Sequence, residues 1–265
     1  MPRSPAIKFL VIGFASIAGI IIIAEQFSPE YSGVISNFVN LAITVPLVVI
    51  SATIAIRDGI KSDFGKALLC LTIFITLWFV AERIWMMYEL VYQTDPWPSE
   101  ADIFWLAGYP MYFAFAFFYL KPFKKSISFP MIIIVCSLIT MLAVFIIYHS
   151  SMQEEELDTH NAVLGLIYPV ADAFTLIPII LGLILFFRGQ VHLLWSCMLI
   201  GMLFFVISDY GFFFISQSGD YYSGSYIDIP YLWAYLFFLV GTYDYLKIFR
   251  KRGDDRRFND QSTMR

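Results

Sequence analysis

Charge is what this chain has least of. Only 14% of its 265 residues are charged, against 59% hydrophobic, and the mean hydropathy of +0.73 lies beyond what soluble globular chains reach. That shortage excludes a water-soluble domain and places the chain in a bilayer. Cysteine is scarce too: Cys70, Cys136 and Cys197 each sit inside an apolar run, where oxidative pairing is not expected, and read as small packing residues. The three histidines, His149, His160 and His192, fall in or beside loops, and none stands at a metal-ligand spacing from another His or a Cys. No HExxH, GxSxG or phosphate-binding glycine pattern occurs. No catalytic residue, metal or cofactor is assigned on this basis. Nucleic acid is excluded as a partner, because the basic residues follow topology and do not form a groove.

What is present is a series of eight apolar segments, about 6–27, 34–56, 67–91, 103–120, 129–148, 162–187, 193–216 and 229–249. Each is near the roughly 20 residues a spanning helix needs. The fold class is therefore all-α, a polytopic integral membrane protein with one transmembrane domain over 1–252. Arg3 and Lys8 precede the first segment as they would a secretory signal, but its run is longer and no small-residue cleavage site follows, so it is expected to be retained. Lysine and arginine alternate with the loops: Arg3 and Lys8; Arg57, Lys61 and Lys66; Lys121, Lys124 and Lys125; Arg188; and the run from Lys247 to Arg265. The other loops carry only acids: Glu25 and Glu30; Asp95 and Glu100; Glu154, Glu155, Glu156 and Asp158; Asp220. The positive-inside rule then puts both termini in the cytoplasm of a multi-pass cell-membrane protein. The polar tail 253–265 is expected to be disordered, and the basic cluster from Lys247 to Arg257 reads as a stop-transfer anchor touching anionic lipid.

The segment from Trp97 to Phe115 has a partner 126 positions on. Ser99 meets Ser225, Asp102 meets Asp228, Tyr109 meets Tyr235, Arg83 meets Asp209, and Tyr119 meets Tyr245. Helices 2 and 6 match at an offset of 132, Asn40 with Asp172 and Pro46 with Pro178, the loop after helix 6 being shorter than that after helix 2. The chain thus reads as two four-helix copies, about 6–125 and 129–252. Four is even, so the copies run in the same direction and are related by an axis along the membrane normal. Chance alignment of apolar helices is the alternative.

Glu82 and Arg83 on helix 3, Asp172 on helix 6 and Asp209 on helix 7 fall within the spans, while Asp102 and Asp228 open helices 4 and 8. A charge facing lipid near mid-bilayer costs about 2.5 to 3.5 kcal/mol on insertion scales, so these side chains should face inward. Arg83, the only base in the hydrocarbon zone, is expected to pair with Asp102, Asp172, Asp209 or Asp228, with Glu82 in the network or protonated. Arg83, Asp172, Asp209, Glu82, Asp102, Asp228 and Asn40 make the candidate ligand-binding set. Each has a plainer reading. The helix-opening acids serve as N-terminal caps, Arg83 with Asp209 as a clasp between halves, and Glu82 snorkels outward with Glu89. Trp97, Trp105, Tyr92, Tyr221, Tyr222, Tyr226 and Tyr231 form an interfacial belt. The matched prolines point to a binding site or are ordinary membrane-helix prolines. Carboxylates alone could hold a hard cation, which Arg83 would oppose.

Pro98, Ser99, Ala101, Asp102, Gly108, Tyr109 and Pro110, echoed in Tyr168 to Asp172 and Ile227 to Tyr235, resemble the polytopic membrane segments that precede diguanylate cyclase, cyclic-di-GMP phosphodiesterase or histidine kinase domains in prokaryotic sensors. The resemblance covers helices 2 to 4 and 6 to 8 and implies a signal-input module for a small ligand. The chain carries no output domain after Arg252, so the sensor would act through a separate cytoplasmic or membrane signalling protein. A small transporter, proton-coupled through Asp172, is the rival expectation, since parallel repeats, matched prolines and a midplane acid suit alternating access. An intramembrane enzyme rests on the acids alone.

Overall fold

The computed structural model describes residues 5–151, 159–187, 193–217 and 221–263. The acidic loop Glu154 to Asp158, Arg188 with His192, and Asp220 lie outside the described residues, as do Arg3 and Arg265. Among the described residues there are eight α-helices and no strand: α1 (Pro5–Glu25), α2 (Pro29–Asp58), α3 (Asp63–Met87), α4 (Ala101–Leu120), α5 (Phe129–Ser151), α6 (Thr159–Phe187), α7 (Leu193–Gln217) and α8 (Asp228–Thr263). Among the described residues six stretches are long and apolar enough to cross a membrane: Ile7–Glu25, Pro29–Asp58, Asp63–Tyr92, Ala101–Ser126, Leu166–Leu185 and Leu193–Phe213. The apolar part of α5 is shorter, Phe129–Phe145. The first half of α8 is diluted by Tyr231, Trp233, Tyr235, Tyr243, Asp244 and Tyr245. Helix α8 runs on to Thr263, with no proline to stop it.

The helix ends follow from local chemistry. Ser28 caps α2 by accepting the Tyr31 N–H at 3.1 Å, with Pro29 in the first turn, where its missing N–H costs nothing. Gly59, at φ +61°, closes the same helix. Ser62 caps α3 by accepting the Gly65 N–H at 3.0 Å. At its other end α3 widens into a π-helical turn, Tyr88–Tyr92, which ends on Gln93 at φ +53°. Pro46 lies inside α2 and Pro178 inside α6.

Helix α2 packs on α1, α3 and α8; α6 packs on α5, α7 and α4; α3 lies along α4 and α7 along α8. Helix α1 also touches α8. Between α3, α4, α7 and α8 stands an aromatic core in which Trp78 meets Phe74 at 4.5 Å and Phe205 at 4.5 Å, and Phe74 meets Tyr112 at 5.4 Å. Glycines let these rings in: a Cβ on Gly108 would strike the Trp78 indole, and one on Gly201 the Phe238 ring. The outer faces are apolar, with Val11, Ile12 and Ile23 on α1 and Ile134, Leu138, Met141 and Val144 on α5 exposed. Such a surface matches lipid rather than water. These are the features of a multi-pass membrane protein, and its polar side chains gather inside.

Candidate functional site

The polar interior begins on one face of α2. Ser32, Ser36, Asn37, Asn40 and Thr44 recur at three- and four-residue spacing and are all buried. Asn40 is the junction. Its Nδ2 donates to Glu82 Oε2 at 3.0 Å while its Oδ1 accepts from Arg83 Nη2, and the Thr44 hydroxyl donates to the Asn40 carbonyl at 2.8 Å. Tyr235 on α8 donates to the other Glu82 oxygen at 2.7 Å. Glu82 is thus held inside the bundle and does not snorkel outward.

Arg83 departs from expectation. No salt bridge joins it to an acid among the described residues; its Nη1 lies 3.3 Å from Met86 Sδ, and its guanidinium carbon lies 5.3 Å from the centre of the Phe79 ring. The Nε is buried with no hydrogen-bond partner. The reason is the Asn40 amide, which presents a donor to the acid and an acceptor to the base. Neighbouring residues on a helix do not face each other, so Glu82 and Arg83 are tied through α2 rather than to one another.

The π-helical turn sets the next layer outward. Glu89 accepts from Asn37 Nδ2 at 2.6 Å and from the Ser223 hydroxyl, and Trp85 Nε1 donates to Ser223 Oγ at 3.2 Å. Ser223 belongs to the loop before α8. That loop is stitched to α2, with the Ser32 hydroxyl donating to the Gly224 carbonyl at 2.5 Å.

The helix-opening acids, expected as N-terminal caps, instead lie inside the first turn, where each fastens the preceding loop and contacts another helix. Asp102 accepts the Ser99 N–H at 2.8 Å and the Tyr168 hydroxyl from α6 at 2.6 Å. Asp228 accepts the Gly224 N–H at 2.7 Å, the Ser36 hydroxyl from α2 at 3.0 Å and the Tyr221 hydroxyl at 3.2 Å. Both are buried. A carboxylate at a helix start also meets the positive end of the helix dipole.

Asp172 on α6 and Asp209 on α7 form the second part of the cluster. Asp172 is fully buried, at 0% exposure, and Tyr109 donates to its Oδ1 at 2.7 Å. Tyr231 donates to Asp209 Oδ1 at 2.5 Å. The two carboxyl groups lie within hydrogen-bonding reach of each other. Arg83 and Asp209 therefore do not clasp the halves together. Among the described residues no group of three His, Cys, Asp or Glu side chains could hold a metal ion.

Outside the spans, the Tyr88 hydroxyl donates to Glu100 at 2.6 Å and holds that carboxyl below its usual range. Tyr222 donates to Glu25 at 2.5 Å, and that bond pushes its phenol up to about 12. Burial first, and then the Asp228 charge, raise the Tyr221 phenol well above its ordinary value.

Seven residues were singled out from sequence, and the structure brings them into two groups: Asn40, Glu82 and Arg83 between α2 and α3, and Asp172 with Asp209 between α6 and α7, with Asp102 and Asp228 at helix starts beside them. The hydrogen-bond donors were missed. Tyr221 and Tyr231, read as interfacial, point inward, and Tyr109, Tyr168 and Tyr235 do the same; Tyr92 and Tyr226 are exposed. The polar stripe on α2 was a legible signal for Ser36 and Asn37. The shallow surface groove lined by Thr140, Met141, Val144, Phe145 and Tyr148 is apolar and shares no residue with the polar cluster. No family model, no curated protein and no solved structure matches this chain.

Proposed function

We propose that this is a cell-membrane sensory module of eight spans, which binds a small anionic ligand in an outward-facing polar seam and signals to a cytoplasmic or membrane partner. The observation that carries the reading is Arg83. Its guanidinium is drawn inside the bundle, meets an amide, a thioether and a ring, and makes no ion pair among the described residues. The acids around it are supplied with hydroxyl and amide donors of their own. A guanidinium kept from carboxylates retains its capacity for a carboxylate or phosphate group. Asp172 and Asp209 would set the charge of the seam, Asp102 and Asp228 its mouth. The resemblance to sensor input segments points the same way.

Two four-helix copies running in parallel fit the packing. Adding four to each helix number turns the contacts α1 with α2, α2 with α3, α3 with α4 and α2 with α8 into α5 with α6, α6 with α7, α7 with α8 and α6 with α4. Ser36 and Tyr168 stand 132 positions apart, and each donates to the helix-opening acid of the other half. The α1 contact with α8 has no equally extensive counterpart. Both termini are assigned to the cytoplasm on the charge of the loops.

The test is a thermal-shift titration of the purified protein with acetate, succinate and inorganic phosphate, repeated on Arg83→Ala. A saturable shift in the wild type that the variant loses supports the reading; no shift with any of the three, or the same shift in the variant, removes it. The second reading, a proton-coupled transporter, is favoured by Asp172 and Asp209 together with Pro46 and Pro178 in matching helices. Pyranine-reported proton uptake into proteoliposomes, abolished by Asp172→Asn, would favour it over the sensor.

A further inference from the structure

We propose that Asp172 and Asp209 form a proton-binding site, a carboxyl pair that holds one proton between α6 and α7. The argument is one of donors and acceptors. Asp172 is fully buried, and its Oδ1 is satisfied by the Tyr109 hydroxyl at 2.7 Å. Its Oδ2 is buried with no hydrogen-bond donor. The acid it interacts with is Asp209 of α7, whose own Oδ1 takes the Tyr231 hydroxyl at 2.5 Å. An ionised carboxylate only accepts, so two of them can join only when one carries a proton. The proton supplies the donor that Oδ2 lacks.

The surroundings favour a proton over other cations. Hard metal ions take about six to eight oxygen ligands, whereas here two tyrosines direct their O–H groups at the carboxyls and no third acid or histidine joins the pair among the described residues. No base neutralises it either, since Arg83 is bound to Asn40. The other titratable groups that face the pair are Tyr210 of α7, whose hydroxyl donates to the Pro169 carbonyl at 3.3 Å, Tyr168 of α6 with its partner Asp102 of α4, and Glu82 of α3. Helix α5, also packed on α6, brings no acidic or basic side chain among those described. Loss of the proton would set two like charges against each other across the α6–α7 contact, so the packing of these helices is tied to proton occupancy. This inference stands on the carboxyl pair alone and is independent of the ligand assigned to Arg83.

Infrared spectroscopy of the full chain in lipid nanodiscs tests it directly. At neutral pH the wild type should show the C=O stretching band of a protonated, desolvated carboxyl, shifted down in D2O. Asp172→Asn and Asp209→Asn should each lose the component that belongs to the pair, because an asparagine amide supplies the missing donor and the proton is no longer needed. If one variant fails to fold, the other gives the same reading. A spectrum without the band in the wild type, or the full band retained in a folded variant, overturns the proposal. So does loss of the band on adding Na+ or Ca2+ at constant pH, which would make the site a cation site.

Discussion

Tyr235 on α8 donates a 2.7 Å hydrogen bond to Glu82 on α3, and Asn40 on α2 donates to the opposite oxygen of the same carboxyl at 3.0 Å. One acid therefore ties three helices at the centre of the bundle. Tyr235→Phe removes a donor from a buried acceptor, which costs about 1 to 3 kcal/mol. Denaturation of the purified protein should show that loss, and a double-mutant cycle with Glu82→Gln should return a coupling of about 0.5 to 3 kcal/mol. A coupling near zero would separate the two residues energetically.

Gly224 sits at φ +84° with its backbone pressed on Ser32 of α2. A Cβ there would collide with the Ser32 carbonyl, so Gly224→Ala is expected to destabilise the fold by more than about 1 kcal/mol. Gly19, where a Cβ would meet open space, provides the control: Gly19→Ala should leave the melting temperature unchanged or raise it.

Tyr222 latches the loop before α8 to Glu25 at the end of α1. Its phenol is raised to about 12 by that bond, against about 10 in an unfolded chain. A group raised in this way contributes its stability fully below the unfolded value and loses it as pH climbs through the folded one, so the latch holds at neutral pH and opens between about 10 and 12. The pair is only half-buried and its contribution small. Ultraviolet titration should show a tyrosine ionising near 12 that Tyr222→Phe removes; an unchanged titration would count against the latch.

The Lys121–Asp63 ion pair, at 2.9 Å, lies at one end of the bundle and the Tyr222–Glu25 bond at the other. In a chain whose Cys70, Cys136 and Cys197 are replaced by alanine, Gln26→Cys and Asp95→Cys should react with an impermeant maleimide on intact cells. Lys61→Cys and Lys125→Cys should react only after lysis. The reverse pattern would invert the topology assigned from loop charge.

The helices were legible because apolar run length is local, but the caps Ser28 with Pro29 and Ser62 start α2 and α3 several residues before the apolar runs at 34 and 67. Insertion cost likewise marked Asp172 and Asp209 as inward-facing. What the chain order could not disclose was partner choice. Arg83 in a low-dielectric region suggested an ion pair with Asp102, Asp172, Asp209 or Asp228, yet its guanidinium goes to the Asn40 amide of α2, which also holds Glu82. The tyrosines escaped for a related reason. An aromatic residue with one polar atom suits the lipid interface and a buried carboxylate equally well, and only the rotation of each helix decides between them. The π-helical turn at Tyr88, which sets the direction of Glu89, has no signature of its own in composition.

Both long-range bonds from the polar stripe of α2 to the α8 region, Ser32 to Gly224 and Ser36 to Asp228, span 192 residues. During synthesis Asn37 and Asn40 of the second helix meet their partners as soon as α3 follows, whereas Ser32 and Ser36 wait for the region at the start of α8 to be made. Lateral release into lipid before that moment would leave these two serine hydroxyls facing hydrocarbon, so the second helix is expected to stay sheltered at the insertion machinery or against its neighbours until α8 arrives.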